Sequence, residues 1–138
     1  MKMSKSYDNS IFMSDQGDVL KKKVAAMFTD PQRQRKSDPG RPELCNVYTF
    51  HGLYSKPGTV AEIGPACRGA AIGCTECKAR LAGAIAEGMM PIHERRDHYL
   101  SHPDEIRAII EDGNVRATRI AAATMAEVRE AMKISHGV

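Results

Sequence analysis

No run of about eighteen consecutive apolar residues occurs in this chain, and no apolar stretch follows the positive charges of its first residues, so the sequence offers neither a membrane span nor a secretory leader. A strand signature is missing too, since no short segment alternates apolar and polar side chains convincingly. There is no G-x-G-x-x-G phosphate loop and no internal repeat. Neither sign of charge dominates: 20 basic against 17 acidic residues leave a formal net charge of +3, which permits a polyanionic partner without demanding one. Cysteine is scarce, with four in 138 residues. The expected compartment is the cytoplasm, where thiols stay reduced, so these four point to metal ligation or simple burial rather than to disulfides. A chain of this length has room for one domain with a core of its own, and not for a complete nucleotide-activating enzyme with a recognition domain added.

What is present is helical periodicity. Between Ser14 and Phe28 the residues Leu20, Val24, Met27 and Phe28 line one face, and Thr29-Asp30-Pro31 ends the segment. Residues 31–43, with Arg33, Arg35, Lys36 and Arg41 among prolines and a glycine, read as a mobile basic loop. Leu44, Val47, Tyr48, His51 and Tyr54 restore helical spacing. Thr59-Val60-Ala61-Glu62 has the form of a capping box opening a short helix, which Gly64-Pro65 would close. After a small-residue loop over 69–73, Thr75 is the expected N-cap of a long helix carrying Leu81, Ile85, Met89 and Ile92, kinked at Pro91 and running to Leu100. Pro103 suits a first helical position, with Ile106, Ile109 and Ile110 as a buried face and Gly113 as a C-terminal cap. A last helix is expected from about Val115 to Met132, with Ala122, Met125, Val128 and Met132 inward. The fold class is therefore all-α, a bundle of five or six helices.

Lys2-Met3-Ser4-Lys5-Ser6 spells KMSKS. Downstream come a helix ending in Thr29-Asp30, the segment Cys45-Asn46-Val47-Tyr48, a turn made of Gly73, Cys74, Cys77 and Lys78, and Pro91-Ile92-His93-Glu94-Arg95-Arg96. In that order the chain resembles, over essentially its whole length, the tryptophanyl branch of the class I aminoacyl-tRNA synthetases. At the turn, cysteine stands where the family usually has an aromatic residue. The resemblance implies that residues 1–13 are the KMSKS loop of a catalytic domain and residues 14–138 an anticodon-binding helical domain. It makes Lys2, Met3, Ser4, Lys5 and Ser6 ATP-binding, with Lys2 and Lys5 catalytic. Attack of an amino-acid carboxylate on the α-phosphate builds charge on the departing pyrophosphate, and ammonium groups on a mobile loop stabilise that charge most in the transition state. The family's HIGH-type motif and dinucleotide-fold sheet are not in this sequence. The chain is thus expected to be a severed, inactive part whose parent, a homodimer, uses ATP, magnesium, tryptophan and its tRNA. Arg68, Lys78 and Arg80 are the candidate tRNA contacts.

Cys45, Cys67, Cys74 and Cys77 give C-x21-C-x6-C-x2-C. The C-x-x-C end lies at a loop-to-helix junction, where thiolates gain from the helix dipole. Four cysteines suit a four-thiolate centre, a 4Fe-4S cluster or structural zinc, while unliganded core thiols are the third reading. Some tryptophanyl-tRNA synthetases carry a 4Fe-4S cluster on a pattern that this one resembles, with one residue fewer in the first gap. His93, His98 and His102 read as a solvated face, His51 as a core histidine and His136 as tail; methionines such as Met27, Met89 and Met125 read as packing. Two other functions compete with the synthetase part: a free-standing iron-sulfur or zinc module that senses redox state or binds RNA, and a metal-free RNA-binding adaptor.

Overall fold

The computed structural model describes Tyr7 and residues 9–134. Its elements are α1 (Gly17–Ala25), a 3-10 turn (Pro42–Leu44), α2 (Asn46–Tyr54), α3 (Pro57–Arg68), α4 (Cys74–Ser101) and α5 (Pro103–Ala131). No strand occurs among the described residues, so the all-α class holds, with five helices. The chain divides into two compact units, Met1–His93 and Glu94–Val138.

The first unit closes around Leu20 and Val24 of α1, Val47 of α2, and Leu81, Ala82, Ile85 and Met89 of α4. Three- and four-residue spacings place each set on one helix face, and burial of that face supplies most of the stability that short helices cannot gain from propensity alone. Ile11, ahead of α1, packs on the same core. The segment leading into α1 is tied down as well: the Phe12 N–H donates to Asp15 Oδ2 at 2.7 Å, and Lys23 pairs with the same carboxylate at 2.7 Å. α1 is shorter than expected. It ends at Ala25, which leaves Phe28 exposed and Met27 half-buried beyond it.

Within the loop expected to be mobile, one carboxylate gathers the hydrogen bonds. Asp30 is buried; it accepts from Arg41 Nη2 at 2.6 Å, from Arg41 Nε at 3.0 Å and from the backbone N–H groups of Gln32 and Arg41. A charge removed from water must be paired in this way. Leu44, expected on a helix face, lies in the 3-10 turn and is exposed.

Helix α3 departs from expectation at both ends. It starts at Pro57, whose missing N–H costs nothing at a first helical position, so Thr59 sits inside the first turn and no capping box forms. Gly64-Pro65 does not end it either. Gly64 is buried, and a Cβ there would stand 2.9 Å from Tyr48 Oη, so this glycine serves close packing. The helix stops after Arg68, where the Ala71 N–H reaches Ala66 O (2.8 Å), the Ala70 N–H reaches Cys67 O (3.2 Å), and Ala70 takes φ 56°. That is a Schellman turn with alanine in its left-handed place.

Helix α4 begins at Cys74, one residue before the expected cap; the Gly73 carbonyl accepts the Cys77 N–H at 3.0 Å and opens the ladder. It passes Pro91 and continues to Ser101, as expected.

In the second unit Gly113 does not terminate a helix, and α5 is one element from Pro103 to Ala131. No residue of α5 is buried. Ile106, Ile109, Ile110, Met125, Val128 and Met132, all expected inward, are exposed, and so is Ala122. Apolar periodicity shows that a helix has an apolar face; it does not supply the surface that would cover it.

Candidate metal centre

The first unit brings the four cysteines together from four places in the chain. Cys45 is the residue before α2, Cys67 lies in the last turn of α3, Cys74 opens α4, and Cys77 follows one turn later. All four are free thiols, half-buried. Burial pushes the Cys77 thiol up to about 12, and the neighbouring Cys45, Cys67 and Cys74 push in the same direction. Burial likewise raises Cys67, with Cys45 and Cys74 adding to it and Arg33 opposing. Four thiols close enough to influence one another in this manner form a single cluster of soft donors. In this form Cys67 and Cys77 are protonated at neutral pH, so binding a metal there would release protons.

Their spacing bears on which group they could hold. Thiolates at about 2.3 Å from one tetrahedral zinc lie within roughly 4 Å of each other. Among the described residues no three thiols come within 4.8 Å of one another. A single tetrahedral ion would therefore require the thiols to draw closer together.

Two further observations concern the wall of this site. The Arg33 guanidinium approaches it from the 31–43 loop: Nη1 lies 3.5 Å from Cys67 Sγ, while Nη2 donates to the carbonyls of Lys36 (2.9 Å) and Ile72 (2.7 Å). Its Nε is buried and meets no acceptor. Gly40 lies so close that a Cβ would stand 2.5 Å from Cys67 Sγ, and the Gly40 N–H donates to Cys67 O at 3.0 Å. An orphaned buried donor, on a side chain that also reaches a thiol, fits a group with acceptor atoms seated among the cysteines; Gly40 is needed because the thiol and Arg33 already fill the place of a side chain. The sequence pointed to neither residue. The only available signal was the Pro39-Gly40 turn pair and a basic residue in the loop before Cys45.

His51 joins α2 to α4 beneath the thiols. It is fully buried, as expected of a core histidine. Its Nε2 lies 3.1 Å from the Cys77 carbonyl, which can only accept, so Nε2 carries the proton and Nδ1 accepts from Ser55 Oγ at 2.7 Å. Burial lowers its pKa and keeps it neutral.

The expected RNA contacts are engaged within the protein. Arg68 pairs with Glu43 at 3.4 Å, Arg80 with Glu62 at 3.1 Å and Glu76 at 2.8 Å, and Lys78 Nζ donates to Ala25 O at 2.6 Å. Beside the thiols, Gln34, Arg35, Lys36, Cys74 and Thr75 line a polar cleft of about 350 Å³. Of the histidines, His93 Nε2 lies 2.8 Å from Met13 O. His98 and His102 stack on the exposed surface with His98 Nε2 2.9 Å from Glu105 Oε2, and the ligand atoms of these three lie within 4.8 Å of one another. Lys2, Met3, Ser4, Lys5, Ser6 and His136 fall outside the described residues.

The family model for tRNA synthetases class I (W and Y) matches residues 1–88. The chain belongs to that family. It is 45% identical over 134 residues to tryptophan–tRNA ligase of Aquifex aeolicus, covering 96% of the chain and 34% of that relative. Against tryptophan–tRNA ligase of Ralstonia nicotianae it is 43% identical over 135 residues, covering 98% of the chain and 34% of the relative. The crystal structure of tryptophanyl-tRNA synthetase from Campylobacter jejuni complexed with ADP and tryptophan superposes with a TM-score of 0.85 at 25% identity, over 96% of this chain and 41% of that one. The chain thus spans little more than a third of the length of these curated relatives. No helix among the described residues is long and apolar enough to cross a membrane.

Proposed function

We propose that this class I synthetase chain is the tRNA-facing part of a tryptophan–tRNA ligase, joined at its start to the KMSKS loop of the catalytic half. The observation that carries this reading is the 45% identity to such a ligase over 96% of the chain. Residues 1–13 are the catalytic loop and 14–138 the helical domain. Lys2 and Lys5 stabilise the departing pyrophosphate, with Met3, Ser4 and Ser6 completing the ATP-binding loop. ATP, magnesium and tryptophan are bound by the longer ligase, a homodimer of the cytoplasm, and the tRNA anticodon meets the helical part. Arg68, Lys78 and Arg80 are contacts there, after exchanging their carboxylate and carbonyl partners for phosphates.

Cys45, Cys67, Cys74 and Cys77 hold a 4Fe-4S cluster. The orphaned Arg33 Nε, on a side chain that reaches the Cys67 thiol, supports a group that carries acceptor atoms of its own. When bound, the cluster supplies a rigid tie between α2, α3 and α4 beside the RNA-facing surface; aminoacylation changes no oxidation state and asks for no electron.

Two measurements test the two halves of the proposal. Labelled tRNA should bind the folded chain weakly at low salt and less as salt rises, because the contacts are to phosphates; no association at low salt and high protein concentration would remove the RNA-facing role. Protein purified without oxygen should be brown and hold about four irons and four sulfides per chain. Iron-supplemented protein that contained neither iron nor zinc, and that was equally stable with Cys74 and Cys77 both replaced by serine, would return the cysteines to the core.

A further inference from the structure

Arg33 is anchored as a fork with Nη1 against the Cys67 thiol. Carbonyls of Lys36 and Ile72 clamp Nη2 at 2.9 and 2.7 Å, which fixes the plane of the guanidinium and leaves Nη1 3.5 Å from Cys67 Sγ. The clamp reaches from the basic loop to the residue before Gly73-Cys74, so one side chain joins the loop, the end of α3 and the start of α4. Guanidinium cannot lose its proton in a protein and has no acceptor atom. Its hydrogen-bond partners among the described residues are two carbonyls and a thiol, none of which carries charge while the thiol is protonated. A half-buried cation with a buried, unpaired Nε–H and no ion pair among the described residues is unfavourable by itself. Four thiolates around a cluster would supply both the negative charge and the acceptors.

Resting on the reading of the four thiols as a cluster site, we propose that Arg33 is the positioning cation of that centre, holding the Cys67 thiolate and stabilising the more negative, reduced state of the cluster. Net charge and hydrogen bonds to the sulfurs are among the features that set such potentials. A cation beside Cys67 therefore raises the potential, and its removal lowers it. Lysine would keep a charge in this position but lose the planar fork, the double carbonyl clamp and the Nε–H.

The experiment compares the unaltered chain with Arg33→Met, which keeps an apolar stem of similar bulk, with Arg33→Lys, and with Arg107→Met as the change of an exposed arginine in the second unit. Each is reconstituted with iron and sulfide without oxygen. Iron content, the one-electron reduction potential and the half-life of the cluster's visible absorption in air are then measured, with helicity and thermal unfolding of the metal-free forms as the control for folding. Arg33→Met should lower the ratio of reduced to oxidised cluster at fixed potential at least tenfold, a shift of about 59 mV for one electron, and should shorten the half-life in air. Arg33→Lys should fall between, and Arg107→Met should match the unaltered chain. If Arg33→Met holds no iron while Arg33→Lys does, and both fold, the cation is required for assembly and the proposal stands. Arg33→Met with unchanged potential and air stability would overturn it, as would metal-free Arg33 variants that are unfolded, which would make the residue a structural tie only. An unaltered chain that binds no iron would instead remove the cluster reading itself, and this inference with it.

Discussion

At the scale of single residues, the loop between α1 and α2 depends on Asp30. The Arg41 guanidinium, helped by two backbone N–H groups, holds this carboxyl well below the usual carboxylate range against the opposing effect of its burial. A folded-state pKa below the unfolded value of about 3.9 contributes stability that is complete above that pH and is lost as the pH falls beneath it. Asp30→Asn should therefore lower the urea midpoint at pH 7, and the gap from the unaltered chain should narrow on acidification below about pH 4. A gap that stayed constant with pH would show that the charge contributes nothing. Gly40 tests the other side of the loop. A methyl group there would stand 2.5 Å from Cys67 Sγ, far inside contact distance, so Gly40→Ala must displace either the thiol or the loop. It should cost about 1–3 kcal/mol in denaturant unfolding, as overpacking does, and reduce iron uptake by the cysteines. Uptake and stability equal to those of the unaltered chain would mean that the loop yields freely.

Helix α3 shows at the scale of the element how packing displaces local signals. Its sequence offers glycine at 64 and again at 69, and neither is the left-handed residue; Ala70 is, with φ 56°. Left-handed geometry costs an L-residue roughly 1–2 kcal/mol, part of which glycine returns through its own entropy loss. Ala70→Gly should accordingly stabilise the metal-free chain by about 0.5–1 kcal/mol, measured by thermal unfolding, because the Schellman turn is already formed by the Ala71 and Ala70 N–H groups. Destabilisation would indicate that the Ala70 side chain packs more usefully than its backbone is strained. The same turn sets where Cys67 points, since the Cys67 carbonyl accepts from both Ala70 and Gly40. A helix terminus and a metal-centre ligand are here one structural feature.

For the whole molecule, the decisive fact is that the chain covers little more than a third of its curated relatives. A lysine loop can stabilise pyrophosphate only where another domain holds ATP and the amino acid in line. Tryptophan-dependent pyrophosphate exchange by the purified chain should therefore equal the blank, and exchange above background in protein free of host enzyme would overturn its reading as a partial synthetase. The uncovered apolar residues of α5 belong to the same scale. Ile109, Ile110, Val115 and Ile120 are each more than half exposed, which is uncommon for a helix with so regular an apolar pattern.

The sequence by itself determined the helical class, the positions of the main helices and the membership of the family, because these rest on periodicity and on short motifs that survive in one dimension. KMSKS, Cys45-Asn46-Val47-Tyr48 and the C-x21-C-x6-C-x2-C spacing are of that kind. His51 was also legible as a core residue from its place on an apolar face. Tertiary structure alone decided that Gly64 packs under Tyr48 instead of ending a helix, that Asp30 orders the basic loop, and that Arg33 and Gly40 stand against Cys67. Arg33 and Cys67 are 34 positions apart, and no propensity or pattern encodes a contact across that distance. It arises because burying the faces of α1, α2 and α4 in one core brings the loop onto the end of α3, where hydrogen bonds then fix it.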